Sequence, residues 1–283
     1  MIVFTTAEAL KEQLKKVRSN GQQVGFVPTM GALHRGHVTL IETAKHASDY
    51  VVCSIFVNPV QFNDPNDYKK YPVTTDRDIA MLEQAGADAL FLPSVEEMYP
   101  GGTTGLEHYQ LGYLETILEG KYRPGHFQGV CQVMRRLLEM VQPDHLFMGQ
   151  KDYQQCMVVQ RLMQLTGMQG AIQFHVCPTV REPDGLAMSS RNMRLDPVAR
   201  EKAATLPAAL NYIKENLQPG DVLSVLLHAR SMLTALRMKV DYLEIADANT
   251  LEPVDNWNGE QKLVALVAAF LGEVRLIDNI PLN

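Results

Sequence analysis

Cysteine is scarce in this chain, and where it occurs it is isolated. The four cysteines among 283 residues are Cys53, Cys131, Cys156 and Cys177. None belongs to a C-x-x-C pair and each sits beside apolar residues. That excludes a disulfide framework and a zinc knuckle, and reads as reduced, buried thiols in a cytoplasmic protein. Long apolar runs are also lacking, so no segment has the roughly 20 residues that a membrane-crossing helix needs. The opening MIVFTTAEALKEQLKK has neither a basic head nor a long apolar stretch. It reads as a short strand and then a helix, not as a secretory signal. Positive charge is in deficit: 26 Lys and Arg against 32 Asp and Glu leave a net charge of −6. A protein that coats nucleic acid needs a basic face, so that class is excluded. An anionic substrate would have to be met by a few local cations. Two common nucleotide signatures are missing as well, G-x-x-x-x-G-K-[ST] and a G-x-G-x-x-G after a strand. The glycines at 101–105 have no following Lys-Ser and read as a flexible loop.

What is present is an alternation. Apolar residues make up 46% of the chain, enough for a substantial core without staples. Runs rich in Val, Ile and Phe read as strands at 24–27, 50–57, 88–93, 144–149 and 171–177. Helical patterns lie between them. Residues 6–19 open with a capping-box pattern at Thr5 and Glu8 and end before Gly21. Val130, Val133, Met134, Leu137, Leu138 and Val141 recur at helical spacing, with Arg135, Arg136 and Glu139 on the other side. The alternation predicts an α/β fold with a doubly wound, parallel, Rossmann-like sheet, whose ligands bind beyond the carboxyl ends of the strands. After about residue 177 the pattern changes. CPTVREPDG reads as a linker, helices are expected over 197–216 and 220–236, and strands over 240–248, 262–272 and 274–280. The expected domains are therefore 1–177, Rossmann-like, and 178–283, a smaller α+β domain.

Four segments carry chemistry. PTMGALHRGH, residues 28–37, follows the first long strand. Pro28 is expected to end that strand, and Gly31 lets backbone approach a ligand closely. His34 and His37 face the same way if the segment enters a helix. Gly36 leaves room for a nucleotide, and a helix expected over 37–48 offers its amino end to phosphates. Two surface histidines on a turn would be the ordinary alternative, and a metal pair a second one. No third ligand stands at suitable spacing, and the position straight after a strand favours phosphate. DGLAMSSRN, residues 184–192, supplies two hydroxyl donors at Ser189 and Ser190 and a fixed positive fork at Arg191. It is either a polar linker with a capping serine or, given its place at a domain junction, a closing flap. MGQKD, residues 148–152, puts Lys151 at a strand exit, while Asp152 can equally cap the next helix with Gln155. FVNPVQF, residues 56–62, reads as a polar turn through Asn58, Pro59 and Gln61. The Gln61 amide can both donate and accept, which suits a substrate with hydroxyl and carboxylate groups.

The first segment resembles the H-x-G-H signature of the nucleotidyltransferase superfamily, which includes class I aminoacyl-tRNA synthetases. DGLAMSSRN resembles the mobile K-M-S-K-S loop that accompanies it. With SIFVNPVQF, the YP at 71–72, the LEG at 118–120, RPGHFQGV at 123–130 and GQKDYQQ at 149–155, essentially the whole chain resembles the pantoate–β-alanine ligase (pantothenate synthetase) family in order and spacing. One departure is Gln150, where that family usually has glutamate. The resemblance implies two steps. Pantoate attacks the α-phosphate of ATP, with Mg²⁺ accompanying the nucleotide, to give pantoyl-adenylate and pyrophosphate. β-Alanine then takes the acyl group and releases AMP.

It further implies that Met30, Gly31, Ala32, Leu33, His34, Arg35, Gly36 and His37 line the ATP site. His34 and His37 are then nearest the phosphates, His37 is the proton donor, and Lys151 is the third catalytic group. Gly149, Gln150, Lys151 and Asp152 would continue the pocket, Asp152 at the ribose, and Val180, Leu186, Ala187, Met188, Ser189, Ser190 and Arg191 would form its other wall. Gln61 and Gln155 match pantoate-binding positions, and Gln61 also a β-alanine contact. Tyr71 and Arg123 match positions near the site, and Asp78 is a candidate magnesium contact. The family's usual state implies a homodimer. The substrates are small molecules, with no nucleic acid or membrane partner. Two rival readings keep the nucleotide site. Transfer to a phosphomonoester would want arginines where Gln61 and Gln155 stand. A non-catalytic nucleotide-binding regulator would have little need of His34, His37 and Lys151.

Overall fold

Six short strands line up in parallel: β1 (Ile2–Phe4), β2 (Val24–Thr29), β3 (Tyr50–Ile55), β4 (Ala89–Phe91), β5 (His145–Gly149) and β6 (Gln173–Cys177). Their spatial order in the computed structural model is β1-β4-β3-β2-β5-β6, so the winding reverses between β2 and β5. The structure describes residues 1–63 and 65–283. Among the described residues, the α-helices that accompany this sheet are α1 (Ala7–Ser19), α2 (Arg35–Ala47), α3 (Pro65–Lys69), α4 (Thr75–Ala85), α5 (Val95–Met98), α6 (Leu118–Tyr122), α7 (His126–Val141) and α8 (Tyr153–Leu165). Strand residues alternate between two cores. Phe26, Val52, Phe91, Leu146 and Met148 pack with Leu10 and Leu14 of α1, Leu138 of α7 and Val159 of α8. Val27, Val51, Cys53, Leu90 and Phe147 pack with Leu40 and Ile41 of α2 and Leu82 of α4. A period of two with both faces covered is what a doubly wound sheet requires. Burial of this kind contributes roughly 1.5–3 kcal/mol per large apolar side chain, and it fixes the strand ends on which the site is built.

The remaining elements are α9 (Pro197–Ala203), α10 (Thr205–Asn216), β7 (Gly220–Asp221), α11 (Leu223–Ala235), β8 (Lys239–Asp247), β9 (Asn256–Trp257), β10 (Leu263–Leu271) and β11 (Val274–Pro281). Strands β11, β10 and β8 form an antiparallel sheet. Its Ile245, Ala265, Val267 and Leu276 pack with Leu210 and Ile213 of α10 and Ala229 and Leu233 of α11. By contacts the chain divides into Met1–Gly149 with Gln154–Pro178, and Gln150–Tyr153 with Thr179–Asn283. The short Gln150–Tyr153 turn thus groups with the second unit, although it directly follows β5 of the first.

Several local expectations shift. The cap of α1 is Thr6, not Thr5: its hydroxyl accepts from Ala9 N, and the Ala7 N–H is taken by the Glu97 carboxylate at 2.8 Å. Pro28 does not end β2, which stays paired with β3 as far as Thr29. Pairing of β2 with β5 covers only Gly25 and Phe26, so Pro28 lies where one flank of the ladder is open and a missing N–H is tolerated. The helix expected over 197–216 breaks at Ala204. Pro207 in the first turn of α10 cannot bond to the Ala203 carbonyl, so the helix restarts there. The helix expected over 220–236 starts only at Leu223, because Gly220–Asp221 pairs with Asn256–Trp257.

Candidate active site

The H-x-G-H segment is shaped by a buried acid. After β2 the backbone enters the left-handed region at Gly31 (φ 79°) and again at Ala32 (φ 49°). The second of these is strained for a residue with a Cβ and needs to be held. Asp78, in the first turn of α4 and wholly buried, holds it: its carboxylate accepts from Ala32 N and Leu33 N, each at 2.8 Å, and from Thr74 Oγ1 at 2.9 Å. These three bonds commit the carboxylate to the protein backbone and to Thr74, which argues against the magnesium contact expected of it. Among the described residues no group of three or more His, Cys, Asp or Glu side chains is arranged to hold a metal.

Helix α2 then opens on the histidines. His34 is the N-cap and His37 the third helical residue. His34 Nδ1 accepts from Gly36 N and His37 Nδ1 accepts from His34 N, both at 3.2 Å. The ring centroids lie 4.0 Å apart. A backbone N–H can only donate, so both Nδ1 atoms are unprotonated and a neutral ring must carry its proton on Nε2. Two N–H donors therefore stand at the amino end of a 13-residue helix, where the backbone dipole already favours anions. Arg35 pairs with Glu42 through both terminal nitrogens at 3.0 Å.

Gln61 is held from three sides. It sits 8% exposed in a 3₁₀ turn (Pro59–Gln61) after β3. Its Oε1 accepts from Asn58 Nδ2 at 3.1 Å, and its Nε2 donates to Met30 Sδ at 3.2 Å. Asn58 is itself fixed by Gly129 O and Tyr99 Oη. A side chain at Gly129 would lie 2.5 Å from Gln61 Cα, so only glycine lets α7 approach this closely. The Gln61 carbonyl accepts from His126 Nδ1 at 2.8 Å, and Arg123 Nη1 reaches His126 Nε2 at 3.1 Å and Glu119 at 3.4 Å. Met30, Gln61 and Arg123 thus belong to one connected network. Tyr71 lies edge-on to Phe62 with centroids 5.7 Å apart. Of the two glutamines that end GQKDYQQ, Gln154 is the structural one. It bonds Leu114 O, Ile117 O and Glu119 N. Sequence reasoning missed Asn58 as an anchor and missed His126 altogether, although His126 falls inside RPGHFQGV.

Gly149 and Gln155 belong to the first unit, and the second unit carries Gln150, Lys151, Asp152, Val180 and the 184–192 segment. Lys151, with a side chain 17% exposed, has Nζ 3.8 Å from Asp152. DGLAMSSRN is the far arm of a small hairpin: Met188 N bonds Val180 O at 3.0 Å and Glu182 N bonds Leu186 O at 2.8 Å. Leu186 and Ala187 are buried. Ser189 does cap the following 3₁₀ turn, accepting from Arg191 N at 3.3 Å. At the tip Asp184 pairs with Arg200, whose hydrogen bonds hold the Asp184 carboxyl below the usual carboxylate range.

Comparison with known proteins bears on what these parts do. Residues 2–281 match the family model described as pantoate-beta-alanine ligase. The chain belongs to the pantoate-beta-alanine ligase family. It is 43% identical to a pantothenate synthetase of Bacteroides fragilis over 281 residues, 99% of this chain and 98% of that one. It is also 43% identical to one of Porphyromonas gingivalis over 282 residues, 99% of each. Its fold superposes on a crystal structure of pantothenate synthetase from Thermus thermophilus with a TM-score of 0.91, at 43% identity over 100% of this chain and 99% of that one. A pantoate-beta-alanine ligase from Francisella tularensis, crystallised with beta-gamma ATP and beta-alanine, matches with a TM-score of 0.81 at 35% identity, covering 99% and 97%. Membership of the pantoate-beta-alanine ligase family makes this chain an ATP-dependent ligase of pantoate and β-alanine, and favours neither of the two rival readings.

Proposed function

We propose that the ligation runs through a pantoyl-adenylate, with His34, His37 and Lys151 as the catalytic groups. The observation that carries this reading is the histidine pair, whose Nδ1 atoms are both occupied by backbone N–H groups at the start of α2. A neutral ring then carries its proton on Nε2, the atom read as the donor toward phosphate. A pantoate carboxylate oxygen attacks the α-phosphorus, the bond to the bridging oxygen breaks, and its electron pair leaves with pyrophosphate. Charge grows on the phosphates as this happens, and preplaced donors of this kind are worth roughly 2.7–4 kcal/mol each. The β-alanine amine then attacks the acyl carbon, the bond to AMP breaks, and the amine proton passes to water.

Gln61 suits the carboxylate end. A thioether is a weak acceptor, so its Nε2–H can leave Met30 for pantoate at little cost. Neutral Gln61 and Gln155 can hold the acid without the ion pair that an arginine would impose on the attacking oxygen. Tyr71 and Arg123 are assigned to the lining of the site. Residues 30–37, 149–152, Val180 and 186–191 are assigned to ATP, with Asp152 at the ribose. The second unit is read as a lid whose 184–192 hairpin keeps water from the adenylate. Mg²⁺ is assigned to the phosphates of ATP and not to a protein cage, and no step depends on it here. We place the protein in the cytoplasm, because all four cysteines are buried thiols outside any disulfide. No helix is long and apolar enough to cross a membrane among the described residues. By analogy with the family we propose a homodimer.

The deciding experiment is pyrophosphate release from ATP and Mg²⁺ with a panel of carboxylic acids. Release that requires pantoate, followed by AMP release that requires β-alanine, is expected. Pyrophosphate release driven by a phosphomonoester, or none with any acid, would overturn the reading.

A further inference from the structure

Gln150–Tyr153 follows a strand of the first unit yet is fastened inside the second, and one side chain does most of the fastening. Asn279, on β11 and 1% exposed, donates through Nδ2 to the carbonyl oxygens of Gln150 and Lys151, both at 2.9 Å. Carbonyls only accept, so the orientation of this amide is set. Its Oδ1 then faces Gln150, which meets it with Nε2 at 3.2 Å. The same stretch of β11 reaches the hairpin. Arg181 donates to both oxygens of Asp278 at 2.7 and 3.1 Å, to Asn279 O at 3.1 Å and to Gly185 O at 3.0 Å.

We propose that Asn279 is the residue that positions Lys151 for adenylate formation. Asn279 cannot turn its amide over without abandoning two backbone carbonyls. This rests on the reading of Lys151 given above.

Lys151 offsets charge on the departing pyrophosphate. Its placement therefore matters to the first half-reaction, and not to attack of β-alanine on an adenylate already made. A purely structural defect lowers the active fraction and slows both halves alike. The test measures pantoate-dependent pyrophosphate release and, separately, β-alanine-dependent AMP release from synthetic pantoyl-adenylate. It compares the wild type with Lys151→Ala, Asn279→Asp and Asn279→Ala. A misplacement near 1 Å costs about 10²-fold, so both Asn279 variants should slow pyrophosphate release by about that factor while AMP release stays within about twofold. Equal slowing of both halves by the Asn279 variants overturns the proposal, and so does no slowing of either. If Asn279→Ala does not fold, Asn279→Asp decides alone, and unchanged pyrophosphate release there overturns the proposal. If Lys151→Ala leaves pyrophosphate release intact, the reading of Lys151 fails and this inference falls with it.

Discussion

The two units hold a candidate loop still with the same chemical group used in two ways. In the first, the Asp78 carboxylate touches the loop directly, accepting from Ala32 N and Leu33 N. In the second, the equally buried Asp278 does not. Arg181 stands between it and the carbonyls of Gly185 and Asn279. The difference follows from which backbone groups are left over. A segment about to enter a helix presents N–H groups, which an anion satisfies alone. The turn at Gly185 and the β11 backbone at Asn279 present carbonyls, which an anion can reach only through a cation. The second solution adds a desolvation cost, and burial does push the Asp278 carboxyl up against the pull of Arg181. The comparison implies that the first unit fixes its donors rigidly and cheaply, while the second ties several segments to one ion pair.

The largest effect expected is on the donors that the first arrangement presents. His37→Ala should lower kcat by about 10²- to 10³-fold, a loss of roughly 2.7–4 kcal/mol, while the KM for ATP changes much less. Steady-state kinetics at varied ATP checks this. An equal loss in kcat and in nucleotide affinity would count against His37 acting in the transition state.

Next comes the anchor. Asp78→Asn keeps shape but swaps one accepting oxygen for an NH₂ group, so one of the Ala32 and Leu33 N–H groups faces another donor. An unsatisfied buried donor costs about 1–3 kcal/mol, and denaturant titration should show a loss in that range. Unchanged stability would mean that the strained Ala32 backbone needs no anchor, and the contrast between the units would lose one of its terms.

Which of these features the sequence reveals depends on how far apart the partners are. Strands such as 50–57 and 144–149 are legible because burial on both faces makes continuous apolar runs. His34, Gln61 and Lys151 are legible because each is a polar residue just past such a run. The anchors are not. Asp78 stands 45 residues from Leu33, and Asn279 stands 128 residues from Lys151. No local pattern couples residues at such distances; only the finished packing does. Smaller misses have the same origin. Thr6 outranks Thr5 as a cap because the long-range Glu97 carboxylate takes the neighbouring Ala7 N–H. Pro28 stays in β2 because the flanking strand has already stopped pairing.

A smaller effect concerns substrate and not stability. Gln61→Ala should raise the KM for pantoate about tenfold, the worth of one good hydrogen bond to a charged group, and leave nucleotide affinity nearly unchanged. A matching fall in ATP affinity would place Gln61 on the nucleotide instead. It would also give the Asn58, Gly129 and His126 network around Gln61 a different purpose.

The smallest effect tests a third carboxylate, the one at the hairpin tip. Asp184 meets Arg200 at 2.5 and 3.2 Å and accepts from Leu186 N at 3.2 Å, but it is more than a third exposed. Its hydrogen bonds to Arg200 hold its carboxyl below the usual range. A lowered folded value means that the stabilisation is fully present at neutral pH and is lost as pH falls through that value. Solvent screens an exposed pair, so Asp184→Asn should cost no more than about 1 kcal/mol at neutral pH. The gap between variant and wild type should narrow in added salt and close in acid. A loss as large as that for Asp78→Asn, or one that persists unchanged into acid, would show that burial is not what separates the anchoring acids from this one.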